Sequence, residues 1–362
     1  MIVHLFPWAQ AHTRDWISYI SDNFTDEEHY IFVYGGKPDF ENERKMCEID
    51  KVWIAHGYTW GAIKRRPCYN TLMESLMKCD AIILHYASFL LLKRLLQFPD
   101  IIKKVRIVCW GGDIERLKDH QNFKYRVLQS KKVLLRSFSQ VKRVGFLLQE
   151  DQEWVEKIIP NIKECSVVRY RMKYWKDCDQ YYLAKKPKDD YYWIQLGNSA
   201  TETNHHLEII RKLAIYRGKP FKLYVPLSYG NHRYAKKVIK AGYKYLGEQF
   251  IPITDYMTCD HYYDLLSKMT IVIHNHHRQQ GLGNIALSLQ YGSKVYMNTQ
   301  SPTWNSLVRQ GYVLYDQKDI GKIPFESFVQ TIPEALLANR ERHLDEDRKY
   351  QINVDNWRQF FH

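Results

Sequence analysis

The sequence has no run approaching the roughly 18 apolar residues that a bilayer-spanning helix needs, so no transmembrane anchor is expected. Cysteine is scarce and unpatterned: seven residues, an odd number, without one Cys-x-x-Cys pair. That excludes a disulfide framework and a cysteine zinc site, and reads as reduced thiols. Zinc-finger spacing, an RNP-like aromatic string and a basic helix with heptads are all missing, which argues against nucleic acid as a partner. The N-terminus, Met1-Ile2-Val3-His4-Leu5-Phe6, lacks a basic leader and reads as a strand, not a secretory signal. No internal repeat or low-complexity segment interrupts the chain. Acidic metal clamps are also wanting. Two D-x-D strings occur, Asp177-Cys178-Asp179 and Asp345-Glu346-Asp347, and neither follows an apolar strand. His274, His276 and His277 alternate on a strand-to-loop path but no carboxylate or cysteine accompanies them. Metal-independent chemistry without a cofactor is therefore expected.

Acidic residues are fewer than basic ones, 40 against 53, leaving a net charge of +13. A charge of that size implies an anionic partner, either phosphorylated substrate or acidic lipid headgroups. Apolar residues at 45% and charged residues at 26% describe a globular chain long enough for two domains. Tyrosine is abundant, with 27 residues, and suits carbohydrate stacking and interfaces alike.

Apolar runs at Ile2–Phe6, Tyr30–Tyr34, Lys51–Ala55, Asp80–His85, Lys104–Trp110 and Arg143–Leu148 alternate with helical stretches over residues 1–175. A polar and aromatic segment, Lys173–Asp190, reads as a linker. A second series follows over 190–335, with strands at Tyr191–Leu196, Lys222–Leu227, Met269–His274 and Lys294–Asn298. Residues 336–362 form a charged helical tail that could cross back to the first domain. Strands alternating with helices indicate βαβ units and parallel sheets. The expected class is α/β, two Rossmann-like domains facing across a cleft.

In such sheets, ligands lie at the carboxyl ends of strands. Three strand ends in the second half carry suitable chemistry. Gly197, Asn198 and Ser199 open the loop running to Asn204. Ser228 and Tyr229 follow Val225-Pro226. Arg278, Gln279, Gln280, Gly281, Gly283 and Asn284 follow the strand ending at His274. Glycines let the backbone approach a ligand, helix amides face an anion, and an arginine adds a charged fork. Each loop could instead be a capped turn. In the first half, Trp110-Gly111-Gly112-Asp113 ends a strand. Asp113 could act as a general base or cap a helix Ile114–His120. His85 ends another strand, as a catalytic group or a structural one. Residues 87–98, with Lys93 and Arg94, and the basic residues Lys64-Arg65-Arg66, Lys103-Lys104, Lys124, Arg126 and Lys131-Lys132, suggest either a membrane-surface helix or a core helix.

The run Arg278-Gln279-Gln280-Gly281-Leu282-Gly283, with Leu287, Leu289-Gln290, Gly292, Asn298, Pro302 and Trp304 after it, resembles one family. It is that of the bacterial TDP-N-acetylfucosamine:lipid II N-acetylfucosaminyltransferases of enterobacterial common antigen synthesis. Leu196-Gly197-Asn198-Ser199 and Val225-Pro226 with Tyr229 match in order and spacing, and Trp110-Gly111-Gly112-Asp113 is similar to the family's Trp-Gly-Ala-Asp. The resemblance implies a GT-B glycosyltransferase whose C-terminal half binds a dTDP-sugar and whose N-terminal half binds a lipid-linked, undecaprenyl-diphosphate glycan. It implies a peripheral protein on the cytoplasmic face of the bacterial inner membrane. Asp113 would take the acceptor proton if the reaction inverts, and only position the acceptor if it retains. A nucleotide-sugar epimerase and a non-catalytic glycan-binding module are the alternatives.

Overall fold

A computed structural model describes residues 1–7, 11–35, 43–44, 46, 48–55, 57, 60–117, 125–170, 190–348 and 350–362. The Asp177–Asp179 string, Lys124 and nearly all of the expected linker lie outside them. The chain divides into two compact units, Met1–Lys173 with Tyr350–His362, and Tyr174–Lys349.

The first unit holds seven parallel strands: β1 (Ile2–Phe6), β2 (His29–Val33), β3 (Val52–Ile54), β4 (Ala81–His85), β5 (Val105–Cys109), β6 (Arg143–Phe146) and β7 (Cys165–Val167). Their order is β3-β2-β1-β4-β5-β6-β7. The second holds β8 (Tyr192–Leu196), β9 (Phe221–Pro226), β10 (Phe250–Ile253), β11 (Ile271–His274), β12 (Lys294–Met297) and β13 (Tyr315–Asp316), ordered β10-β9-β8-β11-β12-β13. Both orders run outward from a central pair and reverse there, so each unit is Rossmann-like with a switch point, β1/β4 in one and β8/β11 in the other. The central strands are buried on both faces, as the apolar runs of parallel sheets require.

The helix Pro333–Arg348 belongs to the second unit, and its Asn339 side chain pairs with both backbone groups of Val313. The Asp345–Asp347 string lies on this helix. The helix Tyr350–Phe361 belongs to the first unit. There Trp357, Phe360 and Phe361 are buried in one cluster with Phe6 and Trp16. Trp357 donates its indole N–H to the Arg169 carbonyl at 2.9 Å. Each such aromatic contributes about 2–3 kcal/mol by burial. Gly145 on β6 makes room for this helix, since a Cβ there would come 2.9 Å from the Phe360 ring.

Residues 87–98 show a core-facing side, the alternative to the membrane-surface reading. The helix there spans only Phe89–Leu95, and Leu91, Leu92 and Leu95 are buried in the core. Arg94 lies over the Trp60 and Phe98 rings, with centroids 5.8 and 4.9 Å away. Leu90 alone of the helix's leucines is exposed, at 39%. No helix among the described residues is long and apolar enough to cross a membrane.

Candidate active site

In the second unit, the loops after β8, β9 and β11 form one hydrogen-bonded assembly at the switch point. Gly197 leaves β8 at φ +69°, and a Cβ there would lie 2.6 Å from His206 Nε2 and 2.7 Å from Asn204 Oδ1. Only glycine fits both the angle and the space. Its N–H donates to the Ile273 carbonyl on β11 at 2.9 Å, joining the two sides of the switch point.

Asn204, fully buried, is the hub. Its Oδ1 accepts from the Asn198 N–H at 3.2 Å and pairs with His276 Nε2 at 2.8 Å. Its Nδ2 donates to the Ser199 carbonyl at 2.9 Å and to Thr201 Oγ1 at 2.8 Å. An acceptor at Oδ1 requires His276 to be the Nε2–H tautomer. Burial drives the pKa of His276 well below the usual value, so the ring stays neutral.

Gln280 ties the β11 loop to the β8 loop. Its Nε2 donates to Asn198 Oδ1 at 3.2 Å and Thr201 Oγ1 at 3.1 Å, and its Oε1 accepts from Thr203 at 2.6 Å. The β9 loop joins through Tyr229. Its hydroxyl accepts from Asn198 Nδ2 at 3.3 Å, and its carbonyl accepts from the Ala200 N–H at 2.8 Å. The residue as a whole is 57% exposed.

Gly281, at φ +66°, starts the helix Leu282–Gln290, and no side chain caps that helix. Helices opening at Asn231, Thr258 and Ser301 are each capped by a side-chain oxygen. First-turn amides without a side-chain cap are open to an anion, and the helix His206–Leu213 lacks such a cap as well. The space where a Gly283 Cβ would lie is open to 4 Å. Arg278 is half-buried, donates to the Gln279 carbonyl at 3.1 Å, and has no carboxylate partner among the described residues. Asn284 faces elsewhere in part: its Oδ1 accepts from Tyr262, which in turn accepts from Gln195 at 3.0 Å. Ser228 is half-buried beside Tyr229. Gln279 is buried with Oε1 unpartnered, as are Gln195 Oε1, His206 Nε2 and His276 Nδ1.

Of the residues expected from sequence, Gly197, Asn198, Ser199, Tyr229, Gln280 and Gly281 meet directly. Asn204, Thr201 and Thr203 were visible in the same loop string but not singled out, and Asn204 matters most. Tyr262, His206 and Gln195 left no local signal, because their roles depend on partners far along the chain. Among the described residues, no group of three or more His, Cys, Asp or Glu side chains is placed to hold a metal. His277 instead contacts Asn298 Nδ2 at 3.2 Å and packs edge-on against His205.

The two residues expected to be catalytic, in the first unit, are enclosed. Asp113 is fully buried, and its oxygens accept from the N–H groups of Ala87, Trp110 and Ile114 at 2.8–3.1 Å. It braces the turn after β4 against the turn after β5. The expected helix after it is a 3-10 turn, Ile114–Leu117. Burial pushes its carboxyl above the ordinary range, while the backbone N–H groups pull the other way. As a base facing acceptor it would have to give up those donors. His85 is also fully buried. Its Nε2 meets His4 Nδ1 at 3.1 Å, its Nδ1 meets the Tyr170 hydroxyl at 2.5 Å, and its ring stacks on Phe6. Trp110 also donates to that hydroxyl, at 3.0 Å. In this structure both side chains support the Trp110–Asp113 loop from within, Asp113 through backbone N–H groups and His85 through Tyr170. Asp113→Ala should therefore lower stability by about 3 kcal/mol, leaving three buried N–H groups unpaired. Denaturant unfolding checks this, and a loss under about 0.5 kcal/mol, the scale of a neutral surface change, would show the brace is unimportant.

A sequence model of the 4-alpha-L-fucosyltransferases, glycosyl transferase group 56, matches residues 61–331. Solved structures share the fold across the whole chain at low identity. Sucrose-phosphate synthase from Thermosynechococcus elongatus is similar at TM-score 0.68 and 11% identity, covering 100% of this chain and 99% of that one. The structure titled trehalose-6-phosphate from E. coli, bound with UDP-2-fluoro glucose, is similar at TM-score 0.67 and 8% identity, covering 99% and 98%. WaaG, a glycosyltransferase involved in lipopolysaccharide biosynthesis, is similar at TM-score 0.62 and 10% identity, covering 99% and 98%.

Proposed function

The chain belongs to the 4-alpha-L-fucosyltransferase family, glycosyl transferase group 56, and on that premise we propose its donor, acceptor and site. It is a glycosyltransferase of GT-B fold. The donor in this reading is a dTDP-sugar carrying an N-acetylated amino-deoxyhexose of the N-acetylfucosamine kind. The acceptor is an undecaprenyl-diphosphate-linked saccharide met at the cytoplasmic face of the inner membrane. The observation that carries the donor site is the helix Leu282–Gln290, lacking a side-chain cap and opening at the β8/β11 switch point beside Arg278, which has no carboxylate partner among the described residues.

The donor diphosphate lies against the first-turn amides, with Arg278 as the charged fork. Gly197, Asn198, Ser199 and Gln280 hold the opposite wall, and Tyr229 and Ser228 line the sugar or base side. As the glycosidic bond breaks, negative charge grows on the departing diphosphate. Preorganised amides and a guanidinium stabilise that charge most in the transition state. Asp113 and His85 act as positioning residues for the Trp110–Asp113 loop on the acceptor-binding unit.

Nucleotide release from dTDP- and UDP-sugars, with and without lipid-linked acceptor and in excess EDTA, tests the reading. Acceptor-dependent dTDP release that survives EDTA is expected. Acceptor-independent conversion of the sugar would instead indicate epimerase chemistry. Arg278→Ala should weaken dTDP binding by about 2–4 kcal/mol, and Arg278→Lys should lose much of it, because the fork is gone. Unchanged affinity by calorimetry would remove this loop from the donor site.

A further inference from the structure

We propose that the outward face of the helix His232–Leu246 in the second unit docks on an anionic lipid bilayer. The inference rests on the lipid-linked acceptor reading. It starts from a one-signed helix: His-Arg-Tyr-Ala-Lys-Lys-Val-Ile-Lys-Ala-Gly-Tyr-Lys-Tyr-Leu holds five cations and no carboxylate.

The fold decides where those cations point. Tyr234, Ala235, Val238, Gly242 and Leu246 are buried against the sheet. At Gly242 a Cβ would stand 2.4 Å from the Phe250 ring, so the helix sits hard against β10 and its rotation is set. Arg233, Lys236, Lys237, Lys240 and Lys244 are then all exposed. None of the five is ion-paired among the described residues, although Lys244 lies over the Tyr245 ring at 5.4 Å. On the helix His206–Leu213 packed beside it, Lys212 is instead paired with Glu208 at 2.8 Å. An ordinary solvated face mixes signs in that way; this one does not.

The arrangement selects the partner. From Arg233 to Lys244 the cations extend about 16 Å along the axis and do not converge. A single diphosphate would meet one or two of them, whereas a plane of lipid phosphates meets the whole row. Four of the five are lysines, which act as hydrated point charges without the bidentate fork that reads bases or phosphopeptides. The helix N-terminus is already capped by Asn231, so its amides add no anion pocket. Tyr243, 53% exposed on the same side, offers a ring with a polar tip at headgroup depth.

The test is sedimentation of the full chain with phosphatidylcholine vesicles, with and without phosphatidylglycerol. The variant combines Lys236→Gln, Lys237→Gln, Lys240→Gln and Lys244→Gln. Each cation near an anionic surface contributes about a factor of five, so losing four should lower binding roughly 600-fold. Thermal melting and dTDP affinity should match the parent, since all four side chains are exposed and outside the donor site. A folded variant that sediments as the parent does overturns the proposal. So does a parent that binds pure phosphatidylcholine equally well, or one that prefers duplex DNA to phosphatidylglycerol through these lysines. Turnover of lipid-linked acceptor in detergent micelles is measured alongside. Failure there sinks the functional reading, and sedimentation alone decides the surface.

Discussion

Acidification from pH 7 to about 4.5 should unfold the second unit cooperatively, before most carboxylates titrate. The cause is a set of histidines folded in neutral form. Burial lowers His206 and His274 from 6.5 to about 3, and drives His276 well below 6.5. Neither ring nitrogen of His274 has a hydrogen-bond partner among the described residues. The folded pKa lies below the unfolded one. Between the two values the unfolded chain binds protons that the native state refuses. The stability from neutral imidazoles is therefore complete above about pH 6.5 and is lost as pH falls toward 3. Each such group costs about 1.4 kcal/mol per pH unit in that window. His206 and His274 together lose about 5 kcal/mol over two units, comparable with a whole domain's stability. In the first unit His29, lowered to about 4, and His4 act in the same direction. Circular dichroism against pH measures the midpoint, and His274→Phe should move it downward. A midpoint below about 3.5, in the carboxylate range, would falsify the neutral-histidine account.

Gly197→Ala should abolish most donor binding, on the order of 100-fold, with a stability loss of about 1–3 kcal/mol. The new methyl meets His206 Nε2 and Asn204 Oδ1 at 2.6 and 2.7 Å, at a backbone angle alanine disfavours. Asn204 cannot move aside without releasing Asn198, Ser199, Thr201 and His276 together. Gly283→Ala is the contrast. Its Cβ meets nothing within 4 Å and its backbone is helical, so the free protein should be unharmed or gain about 0.4–1 kcal/mol. If a diphosphate lies over that helix turn, the same methyl should still weaken dTDP. Calorimetry and melting on the two variants separate the outcomes. Gly197→Ala binding dTDP as the parent does would detach the β8 loop from the donor site.

The glycines of these loops are legible in sequence because strand, glycine and helix follow one another locally. The loop partners are not. Nothing near Asn204 announces His276, which lies 72 positions away. The same limit governs the strands. Central strands such as β4 and β11 are buried on both faces and read as apolar runs. The three strands missed, β7, β10 and β13, lie at sheet edges. β7 and β13 are three and two residues long and only half-buried, and β10 carries Pro252, which a central strand excludes.

The sequence by itself determined the alternation that makes two parallel sheets and the glycine positions at their carboxyl edges. These are local properties, carried by period and by residues that tolerate positive φ. Tertiary structure alone decided which polar groups are enclosed. Asp113 and His85 end strands just as Gly197 and Asn198 do, but backbone amides and aromatic rings close over them. It also decided that the helix Phe89–Leu95 packs its inward face into the core, and that Tyr350–Phe361 completes the first unit. Burial is a property of what packs on a residue from elsewhere in the chain, and the residue's own neighbours do not record it.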